Sequence, residues 1–258
     1  MIKELKNQNV WILQEDLQGS FGYVYISKKE VQGFNIRVVL KEIDIGQKQS
    51  HKTQKLGSVT NEKLASRLMH FGIVPLLAFH DDHKNGKYYF VSPFLVNGDL
   101  FDVIQFDTYN IRNKMQFKLD WKKRVKIMYQ IASALDYMHA GNKFRGTILH
   151  MDIKSKNIVL DSKFNARLID FGLSRELKEG DESLAVTALP LGTKGYYPTM
   201  QHNMLTKQHD YHNFGVVILE LITGLEACTT DQGLELRKWN LRRIKDRQQV
   251  PRYRVILC

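Results

Sequence analysis

The segment His150–Asn157, followed by Asp170–Gly172, constrains this chain more than any other part of it. Between these two motifs lie the apolar residues 158–160, a turn at residues 161–163 and the alternating Ala166, Leu168 and Asp170, which predicts strand, turn, strand. Such a hairpin would bring Asn157 and Asp170 to the same end of its strands, so that both can reach one metal ion. Amide and carboxylate oxygens are ligands that Mg²⁺ accepts. The alternative is a plain β-hairpin with polar ends.

Composition limits the class of protein. With 258 residues, 43% hydrophobic and 25% charged, the chain has the composition of a globular protein, and its length suits one two-lobed unit. Its two cysteines, Cys228 and Cys258, are too few for a disulfide framework or a metal site, which favours a reducing, cytoplasmic location. The N-terminus is charged where a secretory signal is apolar. The most apolar window, Phe214–Ile222, is too short to span a bilayer, so no membrane insertion is expected.

The net charge of +11 is concentrated at one end of the chain. Residues 237–254 contain eight Lys or Arg and one acid, and no nucleic-acid-binding motif accompanies them. A local basic tail is more often a solvated surface than a phosphate-binding stripe. We therefore expect no nucleic-acid partner.

The N-terminal third is rich in strand signals. Gly19 and Gly22, beside Val24, predict a hairpin whose backbone can approach phosphates closely because no side chain intervenes. A simple glycine-containing hairpin is the alternative. Lys41 follows three apolar residues in a predicted strand, where a buried lysine requires an anion as its partner. An edge-strand lysine facing solvent is the competing interpretation.

These motifs together resemble the protein kinase domain over about residues 10–225, and within it the interleukin-1-receptor-associated kinases and the plant receptor-like kinases. The resemblance implies an α+β, two-lobed fold with a small β-rich N-lobe carrying one main helix and a larger, mostly helical C-lobe, here incomplete. The implied boundaries are 1–91 for the N-lobe, 92–95 for the hinge, 96–230 for the C-lobe and 231–258 for a basic tail. The phrases that carry the resemblance are Asn97–Leu100, Leu119–Arg124, His150–Asn157, Asp170–Arg175 and Phe214–Gly224.

The resemblance implies a role for each polar residue of these motifs. Asp152 would accept the proton of a substrate hydroxyl, and Lys154 would steady the γ-phosphate of ATP. Lys154 also resembles the serine/threonine-specific branch of the family. Asn157 and Asp170 would bind Mg²⁺, while Lys41 would contact the α- and β-phosphates.

The resemblance also implies a nucleotide pocket. Leu17 replaces the first glycine of the family's phosphate loop, and Ser92 falls at the gatekeeper position, which would leave a roomy back pocket. Pro93 has no N–H, so a hinge donor must come from Leu95 or a neighbour. The residues expected to line the nucleotide site are Leu17, Gly19, Ser20, Gly22, Val24, Val39, Lys41, Ser92, Phe94, Leu95, Val159 and Asp170.

The lysine's ion-pair partner is expected on a helix over about residues 58–69, where Glu62 is the one carboxylate. The family's usual position for this carboxylate, three residues before the apolar face of the helix, is occupied by Asn61. The helix is thus one residue short of the family pattern, and one residue rotates a helix by about 100°. A solvent-facing Glu62 is the alternative.

Three further positions depart from the family pattern. Met151 replaces the arginine before the catalytic aspartate, so a phosphorylated activation segment has one cation fewer to dock on. Met200 stands where a buried glutamate is expected. Few residues follow Gly224, which favours a truncated or divergent C-lobe. A tail helix through Leu234, Leu236, Trp239, Leu241 and Ile244 would cover exposed core.

Two functional hypotheses follow from these residues. The first is an ATP- and Mg²⁺-dependent serine/threonine kinase acting on proteins in intracellular signalling, with receptor-proximal adaptors among its partners. The second is a weak or inactive pseudokinase that serves as an ATP-binding interaction scaffold. The feature that separates them is whether Glu62 reaches Lys41, because an unpaired lysine would leave the phosphates poorly placed.

Overall fold

The chain divides into two compact units, one formed by Met1–Leu95 with Asp170–Ser174 and the other by Val96–Ile169 with Arg175–Cys258. A computed structural model describes residues 11–13, 22–46, 52–112, 118–186, 193–196 and 204–228, with the backbone alone for residues 11–13, 52, 111 and 112. None of the α-helices in these ranges is long and apolar enough to cross a membrane.

The first unit is built on a five-stranded antiparallel sheet in the order β1-β2-β3-β5-β4. One α-helix, α1, and a 3₁₀ helix that continues it follow β3 in the chain. These elements are β1 (Trp11–Leu13), β2 (Tyr23–Ser27), β3 (Val38–Asp44), α1 (Lys52–Glu62), the 3₁₀ helix (Lys63–Arg67), β4 (Ala78–Asp82) and β5 (Lys87–Pro93).

Alternation along β3 separates two apolar clusters on the two faces of this sheet. Val38 and Leu40 belong to a cluster with Val31, Tyr89 and Val91. Ile43 belongs to the other, with Val59 of α1 and two aromatic residues of β5, Tyr88 and Phe90. Because successive side chains of a strand point to opposite faces, Lys41 shares its face with Ile43.

The second unit is mostly helical. It contains α2 (Leu100–Arg112), α3 (Trp121–Ala140), β6 (Ile148–Leu149), a 3₁₀ turn (Ser155–Asn157), β7 (Ile158–Leu160), β8 (Ala166–Leu168), β9 (Arg175–Glu176), β10 (Leu184–Ala185), β11 (Met204–Leu205) and α4 (Lys207–Thr223). Strands β6 and β9, β7 and β8, and β10 and β11 form three antiparallel pairs.

The sequence explains where several elements of this unit lie. The β7–β8 hairpin lies where the alternation predicts it. Asp120 caps α3 by accepting a hydrogen bond from the backbone N–H of Lys123 at 2.8 Å, which satisfies one of the helix's unpaired donors. Helix α4 ends at Gly224, whose φ of 70° suits a residue without Cβ. Val125 of α3 is exposed although it keeps the 3.6-residue period of the helix's apolar residues.

The helix expected over residues 58–69 is also corrected. The α-helical hydrogen bonds begin at Lys52 and end at Glu62, and residues 63–67 are wound as a 3₁₀ helix. The apolar spacing that suggested a longer helix is explained by Ala65 and Leu68, both of which are buried although the α-helix has already ended.

Candidate active site

In the first unit, Lys41 of β3 contacts two carboxylates. Its Nζ donates to Oε1 of Glu62, the last residue of α1, in a short contact, and to Oδ1 of Asp170 at 2.7 Å. The Glu62 side chain is almost fully buried and that of Lys41 is one-fifth exposed. Lys41 is therefore neither an edge-strand lysine in solvent nor an unpaired buried cation, and Glu62 does not face solvent.

The 3₁₀ segment explains how a helix one residue short still presents Glu62 to Lys41. A 3₁₀ helix rises about 2.0 Å per residue against about 1.5 Å in an α-helix, so residues 63–67 span about 10 Å instead of about 7.5 Å. The α-helical winding ends at Glu62. The longer rise of the 3₁₀ helix compensates for the missing residue, so that Leu68 still reaches its buried position. Glu62 can thus occupy the position next to Lys41 that the family pattern gives to residue 61.

Electrostatics keep the lysine charged. Burial alone would lower the pKa of Lys41, but the negative charges of Asp170 and Glu62 outweigh this and raise it above its usual value. Burial raises the pKa of Glu62, against the attraction of Lys41. Lys41 provides one positive charge for the two carboxylates of Glu62 and Asp170. A further anion would therefore bind beside them only together with added cations.

The turn Asp170–Gly172 lies in the same unit and has an uncommon backbone. Asp170 has a φ of 66°, a left-handed conformation that costs a residue with a side chain roughly 1–2 kcal/mol. Next to it, Phe171 is buried and its N–H donates to Oε2 of Glu62 at 3.3 Å. The Asp170 side chain remains about one-third exposed (35%), so its carboxylate is open to a ligand.

In the second unit, Asp152 is held by three polar side chains. Lys154 Nζ donates to Oδ2 of Asp152 at 2.7 Å and to the Thr193 hydroxyl at 2.9 Å, while that hydroxyl donates to Oδ1 of Asp152 at 3.0 Å. Asn157 Nδ2 donates to the Asp152 carbonyl at 2.8 Å and to its Oδ2 at 2.9 Å. The carboxylate is thereby fixed in one orientation.

A buried aspartate supports the loop that carries Asp152. Asp210 of α4 is fully buried and accepts hydrogen bonds from the N–H groups of His150 and Met151, each at 2.8 Å. It also lies 2.8 Å from Nε2 of His139. Met151 has a φ of 69°, so Asp210 stabilises a loop with a strained residue.

A second buried network connects the loop to α4 through Tyr196. The Tyr196 hydroxyl donates to Glu220 at 2.5 Å and lies 3.1 Å from the Ser155 hydroxyl, which donates to the other oxygen of Glu220 at 3.2 Å. Burial raises the pKa of Glu220 to about 7 although both hydroxyls stabilise its charged form. Burial and Glu220 likewise raise the pKa of Tyr196.

The residues predicted to line the nucleotide site are divided between the two units. Val39 pairs with Ser92 between β3 and β5, and Val24 of β2 pairs with Lys41. Ser92 and Pro93, predicted as hinge residues, belong to β5. The chain remains bonded to the sheet at the next residue, where Phe94 N–H donates to Arg37 O at 3.0 Å. Of the other residues predicted to line this site, Gly22 and Leu95 lie in the first unit and Val159 lies on β7. Leu17, Gly19 and Ser20 lie outside the described residues. The predictions for Met200 and for the tail 231–258 also fall outside the described residues.

Sequence reasoning missed two residues of this region. They are Thr193, which contacts both Asp152 and Lys154, and Tyr196, which joins Ser155 to Glu220. Both belong to the motif Gly192–Pro198, whose spacing is the signal that could have identified them.

Comparison with known proteins agrees with this arrangement. The sequence profile of the protein kinase domain matches residues 17–255, a longer stretch than the 10–225 inferred from the motifs. A similar protein is the probable serine/threonine-protein kinase PBL28 of Arabidopsis thaliana, 31% identical over 234 residues, which are 90% of this chain and 59% of that protein.

Two further relatives come from the same plant. One is a probable LRR receptor-like serine/threonine-protein kinase, 33% identical over 83% of this chain and 23% of its own length. The other is L-type lectin-domain containing receptor kinase IX.1, 34% identical over 84% of this chain and 30% of its own length. The chain therefore spans less than two thirds of the length of each of these three relatives. By the extent of the profile match, this chain belongs to the protein kinase domain family.

Proposed function

We propose that this chain transfers the γ-phosphate of ATP to serine or threonine hydroxyls of a protein substrate. The observation that carries the proposal is the contact of Lys41 with Glu62, made although the helix is one residue short. A lysine held in this way can place phosphate groups, whereas a free lysine would not. The serine/threonine kinases among the relatives support the same chemistry.

The residues of the loop His150–Asn157, which carries Asp152, would act by positioning the substrate and by stabilising charge. Asp152 would orient the substrate hydroxyl and accept its proton, and the contacts with Lys154 and Thr193 hold the carboxylate ready for this role. Lys154 would also stabilise negative charge on the transferred group. Phosphoryl transfer depends mostly on positioning and electrostatic stabilisation, which is what these side chains provide.

The donor set fits Mg²⁺. Asn157 uses its amide nitrogen on Asp152, so its oxygen is the atom that would serve as a ligand. Asp170 has an accessible carboxylate with one oxygen on Lys41. Mg²⁺ takes oxygen ligands, commonly one or two from protein side chains and the rest from phosphates and water. When bound, the ion would neutralise charge on the phosphates of ATP.

The nucleotide would be bound by the first unit's β-strands and by the chain that follows β5. We propose that Lys41 contacts the α- and β-phosphates and that the hairpin predicted from the sequence at residues 19–22 would cover them. The carbonyl of Phe94 and the backbone of Leu95 would bind the adenine, because the N–H of Phe94 already donates to Arg37 O. Val24, Val39, Ser92 and Val159 would supply apolar and small surfaces beside the base.

Partners and location follow from the family rather than from the site. We propose a cytoplasmic kinase whose substrates are proteins with Ser or Thr, receptor-proximal adaptors among them. The support is that several relatives are named receptor-like kinases and that the sequence has only two cysteines.

The test is to incubate the purified chain with Mg-ATP and a generic basic protein and to identify the phosphorylated amino acids after acid hydrolysis. We expect phosphoserine and phosphothreonine, formed only with Mg²⁺ and absent from Asp170→Ala. Phosphotyrosine would contradict the proposed specificity. A folded chain that binds ATP without transfer would favour the scaffold hypothesis, with Met151 and Met200 as the first positions to suspect.

A further inference from the structure

Three side chains on one face of α1 point at the turn Asp170–Gly172. Ser58, Asn61 and Glu62 are spaced i, i+3 and i+4, which places them side by side on a helix. A Cβ built on Gly172 would lie 2.7 Å from Oγ of Ser58 and 3.4 Å from Oε1 of Glu62. A side chain at position 172 would therefore require Ser58 to change its rotamer or the turn to move away from the helix.

Two consecutive residues of α1 bind two backbone groups of this turn. Asn61 Nδ2 donates to the carbonyl of Gly172 at 2.9 Å, and Glu62 Oε2 accepts the N–H of Phe171 at 3.3 Å. One side chain thus gives a hydrogen bond and the next accepts one. Asp170, immediately before these groups, has the strained φ of 66°. A strained backbone persists only when its surroundings hold it.

We propose that Asn61 is a positioning residue that fixes the turn carrying Asp170. The inference rests on the proposed function, in which Asp170 binds the metal. The proposal gives residue 61 a role in the shortened helix. The 3₁₀ winding after Glu62 brings the Glu62 carboxylate to Lys41, and the amide of Asn61 donates to the Gly172 carbonyl. A carboxylate at position 61 has no proton to donate to that carbonyl at neutral pH.

Hydrogen exchange of the backbone amides tests the proposal without requiring catalysis. Asn61→Asp keeps the size of the side chain and removes the donor, and Asn61→Gln retains a donor on a longer side chain. We expect the amides of Phe171 and Ser174 to exchange at least about fivefold faster in Asn61→Asp, with partial rescue in Asn61→Gln. Thr60→Ala, at the exposed position before Asn61 in the helix, is the control and should leave the exchange of these two amides unchanged.

Kinetics provide the second measurement. Asn61→Asp should lower kcat by about fivefold or more and raise the apparent KM for Mg²⁺, with an unchanged KM for the protein substrate. The inference fails if exchange at residues 170–174 is unchanged, or if β3 and β5 exchange faster to the same extent, which would indicate a general loss of stability. Faster exchange confined to the turn in a chain that transfers no phosphate would support the role of Asn61 and count against the proposed function.

Discussion

At the scale of single residues, the site depends on three charged side chains that lie in contact: Lys41, Glu62 and Asp170. Lys41 is the cation that Glu62 and Asp170 both contact, so the loss of either carboxylate changes the position of the ammonium as well as its charge balance. Charge-assisted hydrogen bonds of this kind are stronger than neutral ones. Small changes at these side chains are therefore expected to have large kinetic effects.

Replacing Glu62 by Gln tests the ion pair directly. The variant keeps the shape of the side chain but removes its charge, so Lys41 is drawn toward Asp170 alone. We expect kcat/KM for ATP to fall by about 10- to 100-fold. Steady-state kinetics measure this change, with Glu30→Gln as an exposed control that should behave as wild type. An unchanged kcat/KM in Glu62→Gln would show that the pair is not needed for nucleotide use.

Glu220 makes the stability of the chain depend on pH. Burial raises its pKa in the folded chain to about 7, from an ordinary value of 4.5. The stability that this group contributes is therefore fully present below about pH 4.5 and is lost as the pH rises through about 7. Tyr196 and Ser155 face the carboxylate with hydroxyls, while Glu226 adds negative charge that raises its pKa further.

Glu220→Gln removes this titration. We expect the free energy of unfolding of the wild type to fall relative to the variant by about 1–3 kcal/mol between about pH 4.5 and about pH 7. Urea denaturation across this range measures the difference, and contributions from other groups cancel in the comparison. A difference between the two proteins that stays constant with pH would contradict the assignment.

At the scale of elements, two glycines of the first unit differ in whether the structure has space for a side chain in their place. A Cβ added to Gly22 would lie 2.0 Å from the backbone oxygen of Glu42, so β2 and β3 could not keep their spacing. Gly57 lies in α1, and a Cβ there would meet nothing within 4 Å. The close backbone approach at Gly22 is a structural reason for glycine that stands beside its proposed contact with phosphate.

Gly22→Ala and Gly57→Ala form a matched pair. We expect Gly22→Ala to destabilise the chain by roughly 1–3 kcal/mol, because the new Cβ displaces paired backbone. Gly57→Ala should stabilise it by about 0.5–1 kcal/mol, because alanine loses less backbone entropy in a helix than glycine. Chemical denaturation of both variants gives the two signs. Destabilisation by Gly57→Ala, or an unaffected Gly22→Ala, would contradict the packing around β2, β3 and α1.

Elements with a strong local pattern could be predicted from the sequence. The β7–β8 hairpin alternates with period two around a turn, and α3 combines a 3.6-residue period with a capping aspartate. Helix α1 lacks such signals: it contains Gly57 and Thr60, and its end is decided by contacts of Glu62 with Lys41 and of Leu68 with the core. Those contacts join residues far apart in the chain, so its true limits could not be read from local spacing.

At the scale of the whole molecule, the family could be predicted from the sequence, because the types and order of the polar loop residues are typical of phosphoryl transfer. Two of the side chains that contact these loop residues could not be predicted. Thr193 reaches Asp152 and Lys154 from a distant segment, and Tyr196 joins Ser155 to Glu220 in the same way. Such partners are determined by tertiary packing, which one sequence does not reveal.

The most direct test of the account is the rate of γ-phosphate transfer from Mg-ATP by the wild-type chain and by Asp152→Asn, with Asp136→Asn as an exposed control on α3. The account predicts transfer by the wild type and the control, and a loss of at least about a hundredfold in Asp152→Asn, because the variant cannot accept the proton of the hydroxyl. ATP affinity should be the same in all three proteins. Equal transfer by wild type and Asp152→Asn, or no transfer by a wild type that binds Mg-ATP, would contradict it.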